Sequence, residues 1–304
     1  MGIMSTGIFP QDLRPGIRMW FGSEYKLYST IYDKILDVSV PDSRAYVEDV
    51  AMSTLGLPQV KTEGAPVTYD SGNQLYSTRY RHVAYALGFN ITQELMEDGD
   101  ALKAGQKMAS ALKLNMLRAR EIISAGVYYN GFSASTTVEG QDGVALFSAS
   151  HPTPAGNLTN VPTNPAALSE ASIEQMVIDV ALFKDNRGQI IHCLPKKIIV
   201  HPNNQFNARR VLGSVLRSGT ADNDVNALKD MGMLSSDDVI VDPYLTSTTN
   251  WFVRTDQPGL NFFNRKDITL DDDNEFDTNN MKFKGIMRLS VGHSDFRSAY
   301  GINF

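Results

Sequence analysis

VAYALGFNI, residues 83–91, runs directly into TQELMEDGDALKAGQKMASALKLNMLRAREIISAG, residues 92–126. In the first part Val83, Tyr85, Leu87, Phe89 and Ile91 alternate with Ala84, Ala86, Gly88 and Asn90, the period of two that gives a strand one apolar face. At Thr92 the period changes. Leu95, Leu102, Met108, Leu112, Met116, Ala119 and Ile123 follow helical spacing. The interior of this segment is mostly Ala, Leu, Lys, Met and Arg, all good helix formers. A break is expected near Asp98-Gly99, with Asp100 placed to cap a second start. Between Ala101 and Glu121 the helix carries Lys103, Lys107, Lys113, Arg118 and Arg120 against Glu121 alone, which reads first as a solvated polar face.

Upstream of the strand, residues 1–55 mix aromatics and charges without a clean period: Met19-Trp20-Phe21, Tyr25, Tyr28, Ile31-Tyr32. Gly56-Leu57-Pro58 then opens a polar stretch through Lys61–Pro66 and Asp70–Asn73, rich in turn formers and β-branched residues, expected to be a long hairpin or extended loop without a core of its own.

Downstream, residues 130–168 hold Gly131, Gly140, Gly143, Pro152, Pro154, Gly156, Pro162 and Pro165 around one apolar island, Val144-Ala145-Leu146-Phe147. A second helix is expected from a capping box at Ser172 and Gln175, with Ile173, Met176, Val177, Val180 and Ala181 on one face. Asp185-Asn186-Arg187-Gly188 turns the chain. Strands are expected at 190–194, 197–200, 239–241 and 251–253. A third helix starts near Asn203, with Ala208, Val211, Leu212, Val215 and Leu216 inward. Met281, Phe283, Met287, Leu289 and Val291 mark a terminal strand running towards Phe304. Helices and strands mix without a regular βαβ period. The fold class is α+β.

Composition narrows the function. The 304 residues carry 28 Lys+Arg against 34 Asp+Glu, a net charge of −6, and 42% apolar residues. That is enough chain for a real core, and too ordinary a composition for wholesale disorder. The single cysteine, Cys193, excludes an intrachain disulfide and a cysteine-rich zinc site, and suits a reducing compartment. No segment has the roughly 18 to 20 apolar residues of a membrane span. The first residues lack the cationic and apolar regions of a signal peptide. Gly2 and Thr6 match a myristoylation pattern, but no polybasic patch follows, so no lipid anchor is expected. An acidic balance argues against a protein built to grip phosphates.

Catalytic chemistry does not show. No two of His82, His151, His192, His201 and His293 share helical i, i+4 spacing. His192 and Cys193 adjoin on an expected strand and so face opposite sides, which suits packing better than metal ligation. Ser148-Ala149-Ser150-His151 sets hydroxyls beside an imidazole, but adjacency is not triad geometry. The acids Asp267, Asp271, Asp272, Asp273, Glu275 and Asp277 fail the calcium-loop test: counting from Asp271, the required Gly and Glu are Phe276 and Lys282. A solvated, self-repelling loop is expected instead. Lys196-Lys197 and Arg209-Arg210 are pairs rather than a nucleic-acid stripe. No catalytic, cofactor-binding or metal-binding residue is assigned, and the chain is not expected to be an enzyme. Its coreless loop must bury apolar groups somewhere, and a second subunit is the natural place.

In order, these elements resemble the major capsid proteins of tailed bacteriophages, which have the HK97-like fold, and especially head subunits of the Mu-like kind. Three stretches carry the resemblance: Leu146-Phe147-Ser148-Ala149-Ser150-His151-Pro152 followed by Asn160 and Ala167-Leu168-Ser169; Asp185-Asn186-Arg187-Gly188 leading to Leu194-Pro195-Lys196-Lys197-Ile198-Ile199-Val200-His201-Pro202; and Arg288-Leu289-Ser290-Val291-Gly292-His293-Ser294-Asp295-Phe296-Arg297. The resemblance implies an N-terminal arm at 1–55, an E-loop and return strand at 56–91 and the spine helix of a P domain at 92–130. It also implies an A domain at 131–280 and a C-terminal strand at 281–304 returning to the P domain.

It implies homo-hexamers and homo-pentamers tiling an icosahedral head around double-stranded DNA, assembled in the host bacterial cytoplasm. A portal, possible decoration proteins and weak non-specific DNA contact follow from it, with Lys103, Lys107 and Lys113 as the test of that contact. Only about 55 residues precede the loop, so a separate scaffolding protein, or a removed segment, is expected. Lys61 is the only lysine in the loop, and no crosslink is expected from it. The alternative within the fold is an encapsulin-like nanocompartment shell. Rivals from other classes are a hydrolase using Ser150 and His151, and a monomeric binding module.

Overall fold

The computed structural model describes residues 30–39, 44–97, 101–133, 142–215, 225–275, 277 and 280–304. The expected break at Asp98–Asp100, Phe276 and most of the expected arm lie outside them.

The strand-to-helix change in the deciding stretch is present. Strand β4 (Val83–Ile91) is followed by the short helix α2 (Gln93–Glu97) and the long helix α3 (Ala101–Tyr129). Ala109, Leu112, Met116 and Leu117 of α3 are buried, as are Ala125, Val127 and Tyr128 in its last turns. Met108, expected on that face, is 54% exposed. The burial stripe passes one residue away, through Ala109, where only a small side chain fits under the sheet.

Helix α3 lies across a sheet of order β1-β10-β11-β4, built from β1 (Asp37–Ser39), β10 (Leu260–Asn274), β11 (Met281–His293) and β4. The long ribbon β10–β11 explains a misreading of the acidic run. Asp271 and Asp273 pair across it with Lys284 and Lys282, and Lys282 Nζ also lies 2.6 Å from Glu275 Oε1. The expected self-repelling loop is therefore largely strand, with lysines opposite its acids.

A second sheet of order β12-β9-β7-β8 comprises β12 (Ala299–Ile302), β9 (Trp251–Thr255), β7 (Pro195–Val200) and β8 (Val239–Val241). Helices α4 (Glu170–Ala181) and α5 (Gln205–Gly213) contribute Ile173, Met176, Val180, Ala208 and Leu212 to the core it shares with Trp251 and Tyr300. The α4 cap is Ser169, whose hydroxyl pairs with Ser172 in the reciprocal box. The box thus opens one turn earlier than the expected Ser172–Gln175 pair, because Ser172 serves as its third member. Residues 191–194 are not a strand. The Ile191 amide bonds to Phe183, and Leu194 exchanges bonds with Asp256. Val215, expected inside α5, lies past its end and is exposed, and Leu216 lies outside the described residues.

Pairing redraws two of the expected ranges. β10, expected within 131–280, belongs to the first sheet, whereas β12, expected to return with 281–304, pairs with β9 in the second. The two sheets meet around Phe147, whose ring lies 5.3 Å from Phe252 and 4.9 Å from Phe132. Gly131 and Gly301 leave room for it; a Cβ at either would sit 2.7 or 2.5 Å from ring carbons. Asn160 knits the same junction. Its Nδ2 donates to the carbonyls of Leu146, Phe296 and Ala299, and its Oδ1 accepts from the Ser148 amide.

Helix α1 (Tyr32–Ile35) docks on α3 through Glu121, whose carboxylate accepts from the amides of Ile31 and Tyr32. Burial pushes the Glu121 carboxyl up, against the pull of those amides. Two short strands, β5 (His151–Thr153) and β6 (Gly156–Leu158), pair with each other, and α6 (Ala227–Met231) is a further short helix. No helix among the described residues is long and apolar enough to cross a membrane.

Candidate assembly surface

Strands β2 (Tyr46–Met52) and β3 (Gln74–Arg81) form an antiparallel hairpin separate from both sheets. It begins inside the range expected for the arm, because Tyr46 pairs with Arg81. Its tip, residues 53–73, has no regular structure beyond the Thr62–Ala65 turn, where Gly64 takes φ +77. Apolar side chains there are bare: Val60 is 96% exposed, Tyr69 93% and Leu57 74%. Met52, Leu55 and Val67 are exposed too. A run of apolar groups this open is a surface awaiting a partner.

At its root the hairpin packs on the first sheet through Tyr80, buried 4.9 Å from the Phe263 ring; nearer the tip it touches the rest of the subunit through polar ties. Tyr76 donates to the Pro152 carbonyl (2.9 Å), Thr54 donates to Asp185 Oδ2 (2.7 Å), and Arg187 Nη1 meets Asp70 Oδ2 at 2.6 Å. Under the hairpin lies a cavity of about 410 Å³, bounded by Asp49, Ala51 and Met52 above and by Gln257, Gly259 and His293 below.

Two further faces are open. On α3, Lys103, Lys107, Met108, Arg118 and Ile122 are exposed, but Lys113 and Arg120 are buried and leave the expected basic face. Arg120 instead lies 4.5 Å over the Tyr32 ring and 3.4 Å from Asp267. At the far edge of the second sheet, Phe206 is 71% exposed, with Val215, Val225 and Met231 also open.

Of the residues weighed for chemistry, His151 and Cys193 are buried. His151 is fully buried and stacks on Phe296 at 3.9 Å. Its Nδ1 lies 2.6 Å from Asp142 and its Nε2 3.2 Å from Asn160, so neither nitrogen is left to serve Ser150 as a base. Burial pushes the Asp142 carboxyl up, but the His151 hydrogen bond and charge, with the Val144 amide, outweigh it and hold it below the usual range. Cys193 is buried and His192 exposed, and burial pushes the thiol up to about 12. No group of three or more His, Cys, Asp or Glu among the described residues is arranged to hold a metal ion. Sequence reasoning missed the Asp70–Arg187 tie and the Asn160 knot. Both join residues whose separation leaves no periodic signal.

A long helix across a sheet, a second mixed unit beyond it and a protruding hairpin with a bare apolar tip define a shell-building subunit of the HK97-like fold. Residues 75–302 match the family described as phage capsid protein, and the chain belongs to that family. Solved structures agree on the fold. The capsid of the native GTA particle aligns at TM-score 0.59 and 13% identity over 91% of each chain. A Mycobacterium phage Adephagia chain aligns at 0.56 and 10%, covering 92% of this chain and 93% of its own. The virus-like particle from Pyrococcus furiosus aligns at 0.55 and 8%, over 95% and 98%. Comparison with curated proteins finds no match. The chain is thus a self-associating structural component of the virion capsid.

Proposed function

We propose that the chain forms hexamers and pentamers that tile an icosahedral head around double-stranded DNA, assembling in the host bacterial cytoplasm with a separate scaffolding protein, a portal and decoration proteins. The observation that carries this reading is the hairpin tip: Val60 and Tyr69 are nearly naked on the subunit, and each regains about 1.5–3 kcal/mol when a neighbour covers it. The P domain is then α3 with the sheet β1-β10-β11-β4, and the A domain the unit around β12-β9-β7-β8. Exposed Phe206 and Met231 in the A domain would meet their copies around capsomer axes. The exposed stripe Lys103, Lys107 and Arg118 is the part of α3 free to touch DNA, so an Ala series at these three, without Lys113, should reduce weak binding at low salt.

Light scattering with negative-stain electron microscopy tests assembly. Wild type should give closed shells or rings of five and six, with cognate scaffold supplied where needed. Val60→Asp and Tyr69→Asp should leave a folded subunit that no longer assembles. A chain that stays monomeric with scaffold present refutes the reading. The family match favours the phage head over an encapsulin-like compartment.

A further inference from the structure

The hairpin is packed at its root, where the buried Tyr80 lies 4.9 Å from the Phe263 ring, but towards its tip it overlies a cavity, so the angle of the tip to the body depends on the polar ties at its outer end. The strongest is built from both sides. Asp70 gathers the loop root: its Oδ2 accepts from the Gly56 amide at 2.7 Å and its Oδ1 from the Ser71 amide at 2.8 Å. Gly56 permits the approach, since a Cβ there would sit 3.2 Å from Asp70 Oδ2 and 3.3 Å from Arg187 Nη1. Arg187 grips that root with Nη1 at 2.6 Å and Nη2 at 3.3 Å from the two carboxylate oxygens, and Nη2 donates to the Ser71 carbonyl at 2.9 Å.

The turn that presents Arg187 is independently rigid. Asp185 Oδ1 accepts from the amides of Arg187 (2.8 Å) and Gln189 (2.9 Å), and Gly188 takes φ +83. Beneath it, Arg297 donates to the Lys184 carbonyl and to Asn186 Oδ1. Arg187 enters this set of bonds only through its amide, and its guanidinium enters none of them. The side chain is therefore spare for the fold and committed to the hairpin. Its planar fork matches a carboxylate in a way a lysine ammonium cannot.

We propose that Arg187 is a positioning residue for assembly, holding the hairpin through Asp70 at the angle from which its apolar tip is offered to a second copy of the chain. The proposal rests on the assembly reading above, and two readouts separate their failures.

Hydrogen exchange of amides 53–73 on the unassembled subunit reads the latch, and the rate of shell formation by light scattering reads its use. Arg187→Ala and Asp70→Asn should speed exchange in that segment roughly threefold, leave the melting temperature unchanged and slow assembly. Arg187→Lys should restore only part of both. In about 1 M salt the difference between wild type and Arg187→Ala should shrink. Wild-type exchange in Arg187→Ala overturns the latch while shells still form. Unchanged assembly despite a loosened hairpin overturns its positioning role. A wild-type chain that forms no shell overturns the assembly reading instead.

Discussion

His293 closes strand β11 opposite Leu260 and is 2% exposed, with neither ring nitrogen partnered among the described residues. Burial dominates its titration. The Asp142 charge pulls the other way and His151 adds to the burial, and together they lower it from 6.5 to about 4. Carried through completely, that displacement corresponds to about 3.5 kcal/mol of stability. The sign follows from which state takes the proton. Above 6.5 the imidazole is neutral in both states and the fold keeps its full stability. Between 6.5 and about 4 the unfolded chain binds a proton that the native site refuses, so stability is lost as pH falls.

Other groups titrate nearby. Asp142, Asp185 and Asp256 are held low, so their contribution is full above the ordinary carboxylate value and is lost as pH falls through it and below, whereas burial raises Glu121 and Asp242, whose cost is relieved by acid. The wild-type slope is therefore a sum, and the difference from His293→Leu isolates one term. Urea unfolding of the unassembled subunit at pH 7.5 and 4.5 should show the variant gaining about 2 to 3 kcal/mol on wild type over that interval. Parallel pH profiles for the two proteins would refute the reasoning.

Gly301→Ala puts a methyl 2.5 Å from the Phe147 ring, which is already backed by Gly131 and Phe252. A loss of about 1–3 kcal/mol is expected, read as a fall in melting temperature; an unchanged melt would mean the ring has room to move. Asn160→Ala strands the carbonyls of Leu146, Phe296 and Ala299 and the Ser148 amide in a fully buried place. It should cost at least about 3 kcal/mol, measured by urea titration, and a loss under 1 kcal/mol would show the knot to be dispensable. Cys193, buried with its thiol pushed up to about 12, should resist iodoacetamide in native protein and react in urea. Rapid native alkylation at pH 8 would contradict its burial.

What the sequence disclosed tracks how local each cause is. The period of β4 and α3 is legible because successive residues on one face share one neighbour, whether sheet or core. Ser169 was harder, since Ser172 offers the same hydroxyl and only the hydrogen bonds decide between them. The acids of β10 read as a repelling run because their partners, Lys282 and Lys284, come after a turn; the alternation of Lys282 and Lys284 with Phe283 was the available signal. Arg187 read only as part of a turn, because its partner Asp70 is 117 residues away.

One non-local feature was legible all the same. A segment such as 57–69, with Leu57, Val60, Val67 and Tyr69 but no period, can form neither an amphipathic helix nor a half-buried strand, so its apolar groups have no place in its own subunit. The structure shows the consequence, with those side chains bare and the outer part of the hairpin beneath them held by polar ties over a cavity. A monomer gains nothing from this arrangement. In a shell, each covered tip adds to stability by mass action, and on the proposal above the Asp70–Arg187 tie holds the tip at the angle from which a neighbour can cover it. Exposed apolar tip and polar hinge are two halves of one device, which is why Val60→Asp should abolish assembly while Arg187→Ala should only slow it.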